Sequence, residues 1–207
     1  QKTTVETMAA NLNQTTINFE ELTNHWSSGD NVYGSGTQLN NTSPLQIFEL
    51  AFSDKPIAKQ FLHQLLKNKG ASSSADTTYT ASSWTNKPST KEHDIIKQRK
   101  LCIKATESGI TFFSRKTITS NINQTAFITP SKDCVTIYSV AQPRTGTESK
   151  KADHFVIDRW TIKRSDKDPN QVLLSFNANI LWTSSSLTPT GTIIKSKWLR
   201  FYAGRFD

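Results

Sequence analysis

The segment from Val172 to Thr183 constrains the fold more than any other part of the sequence. Ser, Asn and Thr residues take most of one parity, whereas the other parity is entirely apolar. This alternation predicts a long strand that buries one face of a sheet. The apolar parity consists of Val172, Leu174, Phe176, Ala178, Ile180 and Trp182.

A second amphipathic segment follows from Gly191 to Phe206. Ile194, Trp198, Phe201 and Tyr202 recur at helical spacing, and Lys and Arg fill most of the remaining positions. The spacing predicts a long C-terminal helix with one apolar stripe. Such a helix would lie across a curved antiparallel sheet, and the space between them would be either a packed core or a pocket.

Upstream of the strands, the sequence predicts two short helices. The first spans Pro44–Phe52, because a capping hydroxyl precedes a proline at the first helical position. The second has Pro56 in its first turn and stops at Gly70. Segments with strand character begin at Thr77 and are joined by short connections, which is typical of antiparallel pairing.

Together these patterns predict an α+β fold with a helix held against the sheet. The expected sheet is curved and antiparallel, with six or seven strands, two short helices near the N-terminus and the long C-terminal helix. Residues 1–41 are polar and are expected to form a partly ordered N-terminal arm. Residues 42–207 are expected to form one domain.

The composition indicates which classes of partner the chain is suited to bind. The formal net charge is +8 over 207 residues, which favours anionic partners such as a phospholipid surface or a nucleic acid. The two cysteines, Cys102 and Cys134, are too few for a disulfide scaffold or a zinc site. Each falls in a predicted strand, so we expect two buried free thiols.

The sequence carries no motif of an enzyme. The four histidines have no metal-ligand spacing, and neither a phosphate-binding glycine loop nor a nucleophile elbow is present. Asp158 and Glu49 stand as isolated carboxylates. We therefore expect no catalysis, no catalytic residues, no metal and no cofactor.

The segment Glu107–Lys116 has two interpretations. As a loop at the sheet edge, its exposed Ile and Phe side chains would enter a membrane interface while its cations meet lipid phosphates. As an ordinary strand, it would place Phe112 or Phe113 in the core. The residues of the loop interpretation are Gly109, Ile110, Phe112, Phe113, Arg115 and Lys116.

Tryptophans in basic surroundings raise the possibility of nucleic-acid stacking. Trp160 lies near Arg159 and Lys163, and Trp198 lies beside Lys197. However, Trp160 and Trp198 also fall on the apolar parity or stripe of their segments. Their positions favour a core or a cavity lining.

From Thr42 to its end, the sequence resembles the VASt domain, a StART-like (helix-grip) lipid-binding domain of fungal and animal sterol transporters. The resemblance rests on Leu45–Asp54, a helix that ends in an acidic turn, and on Trp84-Thr85 at the start of the sheet. It also rests on Phe155–Arg159 and on Asn179–Ser185, which is followed by a Lys-bearing terminal helix.

The resemblance implies that one sterol, of ergosterol or cholesterol type, binds in an apolar cavity between the sheet and the C-terminal helix. The segment Glu107–Lys116 would be a mobile lid at an anionic membrane surface. The implied location is the cytosolic face of the endoplasmic reticulum at membrane contact sites, in a larger membrane-anchored protein. As an isolated domain the chain is expected to be monomeric. The expected lining residues are Leu101, Ile103, Val156, Trp160, Phe176, Ile180, Trp182, Ile194, Trp198 and Phe201.

Two alternatives stay open. A domain of the same fold without transfer activity would dock on a membrane or on a protein. A basic nucleic-acid-binding domain is the second alternative, and its affinity would fall steeply with salt.

Overall fold

A single antiparallel sheet dominates the described part of the chain. The computed structural model describes residues 30–67, 77–89, 91, 93–108, 115–145, 150–151, 154–182, 195–196 and 199. Within these ranges nine strands lie in one sheet. They are β1 (Asp30–Asn40), β2 (Thr77–Ala81), β3 (Thr85–Lys87), β4 (Ile95–Ser108), β5 (Arg115–Ile128), β6 (Cys134–Thr145), β7 (Lys150–Lys151), β8 (His154–Arg164) and β9 (Gln171–Trp182).

The strands follow one another mostly as hairpins. Their order across the sheet is β1-β9-β8-β6-β5-β4-β2, with β3 paired to β4 and β7 paired to β6. Each pairing is antiparallel. The antiparallel arrangement predicted from the short connections is therefore confirmed.

The predicted helix-grip α+β fold is wrong. The described chain is mostly antiparallel sheet with two short helices, α1 (Pro44–Ala51) and α2 (Pro56–Lys67), and no long C-terminal helix. Of Gly191–Phe206, the structure describes only Lys195, Ser196 and Leu199, which have helical backbone. An apolar stripe shows that a segment can bury one helical face, but it does not specify the surface against which that face packs.

Helix α1 begins where the sequence places it. Ser43 Oγ accepts a hydrogen bond from the Gln46 N–H at 3.3 Å, and Gln46 Oε1 accepts one from the Ser43 N–H at 2.9 Å. This reciprocal pair of hydrogen bonds is a capping box. Pro44, which directly follows the N-cap residue Ser43, lies in the first turn. The cap starts the helix in a register that turns Phe48 toward the sheet.

Helix α1 covers the sheet face on which the terminal helix was expected. Phe52, just after α1, packs against Trp160 with ring centroids 5.4 Å apart, and Trp160 lies 4.7 Å from Phe176. We call this covered face the inner face. The core between α1 and the inner face consists of Ile47, Phe48, Phe52, Ala126, Ile128, Val135, Ile137, Ile162 and Val172.

Part of the predicted polar arm belongs to the sheet. Asp30–Asn40 forms β1 and pairs with β9 along most of its length. Gly34 and Gly36 are poor strand formers, but β1 has only one described neighbour in the sheet order. An edge strand tolerates residues that pack weakly.

The structure also bears on the state of the two cysteines and on membrane-spanning helices. Cys102 and Cys134 are free thiols as predicted, but both are partly accessible rather than buried. In the part of the chain that the structure describes, no helix has the length and apolar character needed to cross a membrane.

Candidate functional site

A row of polar side chains crosses the middle of the inner face. Strand register places Arg99 of β4 beside Gln124 of β5, Gln124 beside Ser139 of β6, and Ser139 beside Asp158 of β8. We call these four residues the polar row. Each is flanked in its strand by inner-face positions that are mostly apolar, so the row is a polar band in an apolar surface.

Hydrogen bonds connect the polar row from one strand to the next. Arg99 Nε donates to Gln124 Oε1 at 2.8 Å, and Gln124 Nε2 donates to Ser139 Oγ at 2.9 Å. The Ser139 hydroxyl in turn bonds to the Asp158 carboxyl group. The chain therefore runs unbroken from a guanidinium group to a carboxyl group across four strands.

The Asp158 end of the polar row is a carboxyl group in a poorly solvated position. Burial raises its pKa from 3.8 to about 7, and the hydrogen bond from Ser139 opposes that rise. Its Oδ1 atom is buried and has no hydrogen-bond partner in the structure. At neutral pH this group can therefore donate or accept a hydrogen bond.

The Arg99 end of the polar row lies against an aromatic ring. The Arg99 guanidinium lies 4.4 Å from the centre of the Trp84 ring, a cation–π contact. Only 5% of Arg99 is exposed, and this burial lowers the pKa of its side chain. Its Nη2 atom and the nearby Tyr79 hydroxyl are both buried without a hydrogen-bond partner.

Two rows of mostly apolar side chains, one of which begins with Lys97, run alongside the polar row. The row on the side nearer α1, which we call the α1-side row, contributes to the core between α1 and the inner face. On the other side lies a second set of apolar side chains, which we call the distal row. Register defines the α1-side row as Lys97, Ala126, Ile137, Trp160 and Phe176, and the distal row as Leu101, Ile122, Ala141, Val156 and Ile180.

Solvent reaches the inner face in the interior of the sheet. Ile122 and Asp158 lie on strands with neighbours on both sides, yet both residues remain partly accessible, although the Asp158 Oδ1 atom itself is buried. Trp160 is also partly accessible, although it contacts Phe52 and Phe176. These side chains in the middle of the sheet are therefore not completely enclosed by the described part of the chain.

The structure brings six of the predicted lining residues together on the inner face. Trp182 is described only through its backbone, which pairs with His154. Ile194, Trp198 and Phe201 lie outside the described residues. The six on the inner face are Leu101, Ile103, Val156, Trp160, Phe176 and Ile180.

The predicted lid is only partly within the described chain. Gly109, Ile110, Phe112 and Phe113 lie outside the described residues. Arg115 and Lys116 begin β5 instead of lying in a loop, and their backbones pair with Ser108 and Glu107 of β4. Strands β4 and β5 thus form a hairpin whose connection contains the aromatic residues.

Sequence reasoning missed the polar row. In the sequence Asp158 stands as an isolated carboxylate, and no motif marks Arg99, Gln124 or Ser139. A signal existed, because each member is a polar residue flanked mostly by apolar residues on the same parity of its strand. Only the strand register shows that these interruptions lie side by side. Glu49, the other isolated carboxylate, forms an exposed ion pair with Lys55 at 2.7 Å.

The chemistry of the polar row is that of recognition. It offers one cation, one carboxyl group with a raised pKa, an amide and a hydroxyl, all surrounded by apolar side chains. Among the described residues, no cluster of three His, Cys, Asp or Glu side chains is arranged to hold a metal ion. The row can hold the polar group of a ligand whose apolar part lies along the distal row.

Comparisons with known proteins do not identify a family. No protein-family model matches the sequence, and no curated protein matches it. Among solved structures, the chain is similar to an uncharacterized protein from Rhizobium leguminosarum, with a TM-score of 0.31 and 8% identity. That match covers 84% of this chain and 91% of the other.

Proposed function

We propose that the protein binds a single lipid, a sterol in the first instance, on the inner face of its sheet and transfers it between membranes. The observation that carries this proposal is the polar row enclosed between two apolar rows. A sterol has the matching pattern, with a large apolar body and one hydroxyl group. The protein would act without catalysing a reaction on its ligand.

Apolar contact would supply most of the affinity. Burial of apolar surface contributes about 25 cal/mol per Å², so each 100 Å² removed from water adds about 2.5 kcal/mol. The distal row offers Leu101, Ile122 and Val156 as side chains for this contact. None of the three carries a polar atom that would need a partner.

The polar row would orient the ligand. Asp158 Oδ1 is buried without a partner, so a hydroxyl group brought next to it gains a hydrogen bond that water does not supply. The carboxyl group has a pKa of about 7 and can meet a hydroxyl as donor or as acceptor. A ligand without a polar group would leave this atom unpaired and would bind less tightly.

The choice of a sterol rests on the sequence resemblance to VASt domains. That resemblance also supports a location on the cytosolic face of the endoplasmic reticulum at contact sites. The net charge of +8 suits exchange with an anionic membrane.

A second candidate function is docking on a membrane without transfer. It is favoured by exposed apolar side chains on both helices: Leu50 of α1 is 55% exposed, and Ile57 and Phe61 of α2 are 54% and 39% exposed. Ile57 and Phe61 are one turn apart on α2, and the exposed cation Lys59 lies between them in sequence. Apolar side chains with a neighbouring cation suit the boundary between headgroups and acyl chains.

Titration of a fluorescent sterol into the protein, with unlabelled sterol as competitor, tests the proposal. Ile122→Trp fills the accessible space on the inner face and is expected to weaken binding about tenfold or more, or about 1.4 kcal/mol. Asn121→Trp adds the same ring at the adjacent, exposed position on the opposite face and should leave binding unchanged. Absence of saturable binding by the folded protein would contradict the proposal.

A further inference from the structure

Among the described residues, no carboxylate is in direct contact with the buried Arg99 guanidinium. The guanidinium donates one hydrogen bond, from Nε to the neutral amide of Gln124, and it stacks on Trp84. Nη2 is buried and unpaired. Burial of a charged donor without a partner is costly, so the arrangement is expected to be completed by a bound group.

A second unpaired donor lies on the same face of the sheet and interacts electrostatically with Arg99. Tyr79 of β2 is directly opposite Ile103 of β4, which places it on the same inner face as Arg99. Its hydroxyl is buried and unpaired; burial raises the pKa of Tyr79, and the positive charge of Arg99 opposes that rise. A hydroxyl and a guanidinium N–H that both lack acceptors form a pair suited to an oxyanion.

Asp54 is a described carboxylate that acts on both members of this pair. Its Oδ2 atom accepts a hydrogen bond from the Trp84 N–H at 3.1 Å, and the residue is exposed. It interacts electrostatically with both Arg99 and Tyr79 but forms no hydrogen bond with either. Asp54 therefore reduces the positive potential at the pair and leaves both donors unoccupied.

Trp84 holds the guanidinium plane in place. Its indole N–H donates to the Phe52 carbonyl oxygen at 2.6 Å, and its ring contacts Phe48 of α1 with centroids 5.7 Å apart. The ring is therefore fixed from the α1 side. With one face stacked and Nε bonded, Arg99 has little rotational freedom left, which favours recognition of a planar or tetrahedral oxyanion.

We propose that Arg99 Nη2 and the Tyr79 hydroxyl bind an anionic head group, a carboxylate or a sulfate, of a lipid whose apolar body lies along the distal row. This inference rests on the proposed function and makes it more specific, because it selects acidic lipids over neutral ones. The polar row then has two roles. Its Arg99 end binds the anionic head group of the ligand. Its Asp158 end forms a hydrogen bond with an additional hydroxyl group where the ligand has one.

Two sterols with the same body and different head groups provide the test. Cholesterol and cholesterol sulfate compete separately against a bound fluorescent sterol. The sulfate is expected to bind about tenfold or more tightly than cholesterol, as is typical of hydrogen bonds to a charged group. Asp54→Asn removes the neighbouring carboxylate and should increase this preference further.

Matched variants separate the site from general surface charge. Arg99→Gln is expected to abolish the preference for the sulfate. Lys100→Gln makes the same change of charge at the next residue, which is exposed on the opposite face, and should keep the preference. If Arg99→Gln does not fold, Tyr79→Phe removes only the hydroxyl and should lower sulfate affinity about threefold or more.

The outcomes distinguish the two proposals. If both sterols bind equally, or if Lys100→Gln removes the preference as much as Arg99→Gln does, the anionic site is wrong and the proposed function stands. If neither sterol binds to the folded protein, the proposed function is wrong and the inference fails with it. A sulfate preference that disappears only in the Arg99 and Tyr79 variants supports the site.

Discussion

Single residues on the inner face carry costs that a purely structural sheet would avoid. Arg99, Tyr79 and Asp158 each bury a polar atom without a hydrogen-bond partner. An apolar residue at any of these positions would remove that cost. Their presence in a surface that is otherwise apolar is the main reason to regard the polar row as a binding site.

Asp158 is expected to make stability depend on pH. Its pKa rises from 3.8 in the unfolded chain to about 7 in the folded protein, so the folded state holds the proton more tightly. The stabilisation is complete below the unfolded value and is lost as pH rises from about 4 to about 7. The loss is on the order of 4 kcal/mol.

Denaturant unfolding of the wild type and of Asp158→Asn between pH 4 and pH 8 measures this effect. The wild type should lose stability relative to the variant as pH rises, with no further change above about pH 7. Asp94→Asn, at an exposed position, is the control. A difference between wild type and Asp158→Asn that stays constant over this range would show that Asp158 is already ionised in the folded protein.

At the level of elements, local signals in the sequence predicted more than distant ones. Ser43, Pro44 and Gln46 are neighbours, so the start of α1 could be read directly. Alternation similarly predicted β9. Pairing partners could not be read, because register depends on residues far apart in the chain. For that reason, Arg99 and Asp158 looked unrelated.

The terminal helix illustrates the same limit. The sequence does contain its apolar stripe. The helix was expected to cover Trp160 and Phe176 of the inner face, but Trp160 packs against Phe52 beside α1 and against Phe176. A stripe of side chains does not identify its partner. The polar character of β1 likewise concealed a strand, because pairing at a sheet edge needs few apolar side chains.

Helix α1 is expected to contribute strongly to stability through its covered side. Phe48 is 1% exposed and contacts Phe52 and Trp84, so Phe48→Ala should lower the free energy of unfolding by about 3–5 kcal/mol. Leu50→Ala on the same helix removes a side chain that is 55% exposed and should have little effect. Equal denaturation midpoints for the two variants would contradict the packing of α1 on the inner face.

The exposed side of α2 is expected to affect membrane contact and not ligand affinity. The double variant Ile57→Ser/Phe61→Ser should slow sterol transfer between anionic vesicles and reduce vesicle co-sedimentation. Its affinity for sterol in solution should equal that of the wild type. Gln60→Ser, at another exposed position of α2, is the control. Unchanged co-sedimentation would assign membrane contact to another surface.

At the scale of the whole molecule, net charge and ligand binding make separate contributions. A charge of +8 attracts anionic surfaces at long range, and this attraction is screened by salt. Contact with an apolar ligand on the inner face does not depend on ions in solution. The two contributions can therefore be separated by changing the salt concentration alone.

Salt dependence also discriminates against nucleic-acid binding. Between about 50 and about 200 mM salt, neutral sterol affinity should change by less than about twofold, whereas binding through several phosphate contacts would fall about a thousandfold or more. Competition titrations at these two concentrations measure the difference. A steep decline for neutral sterol would mean that the apparent binding is electrostatic.

Photo-crosslinking with a photoactivatable sterol, followed by identification of the labelled residues by mass spectrometry, tests the position of the ligand most directly. We expect labels on inner-face residues of β4, β5 and β8, above all on Leu101, Ile122 and Val156. Excess unlabelled sterol should suppress them. Labels confined to the opposite face of the sheet or to α2 would contradict a lipid site on the inner face.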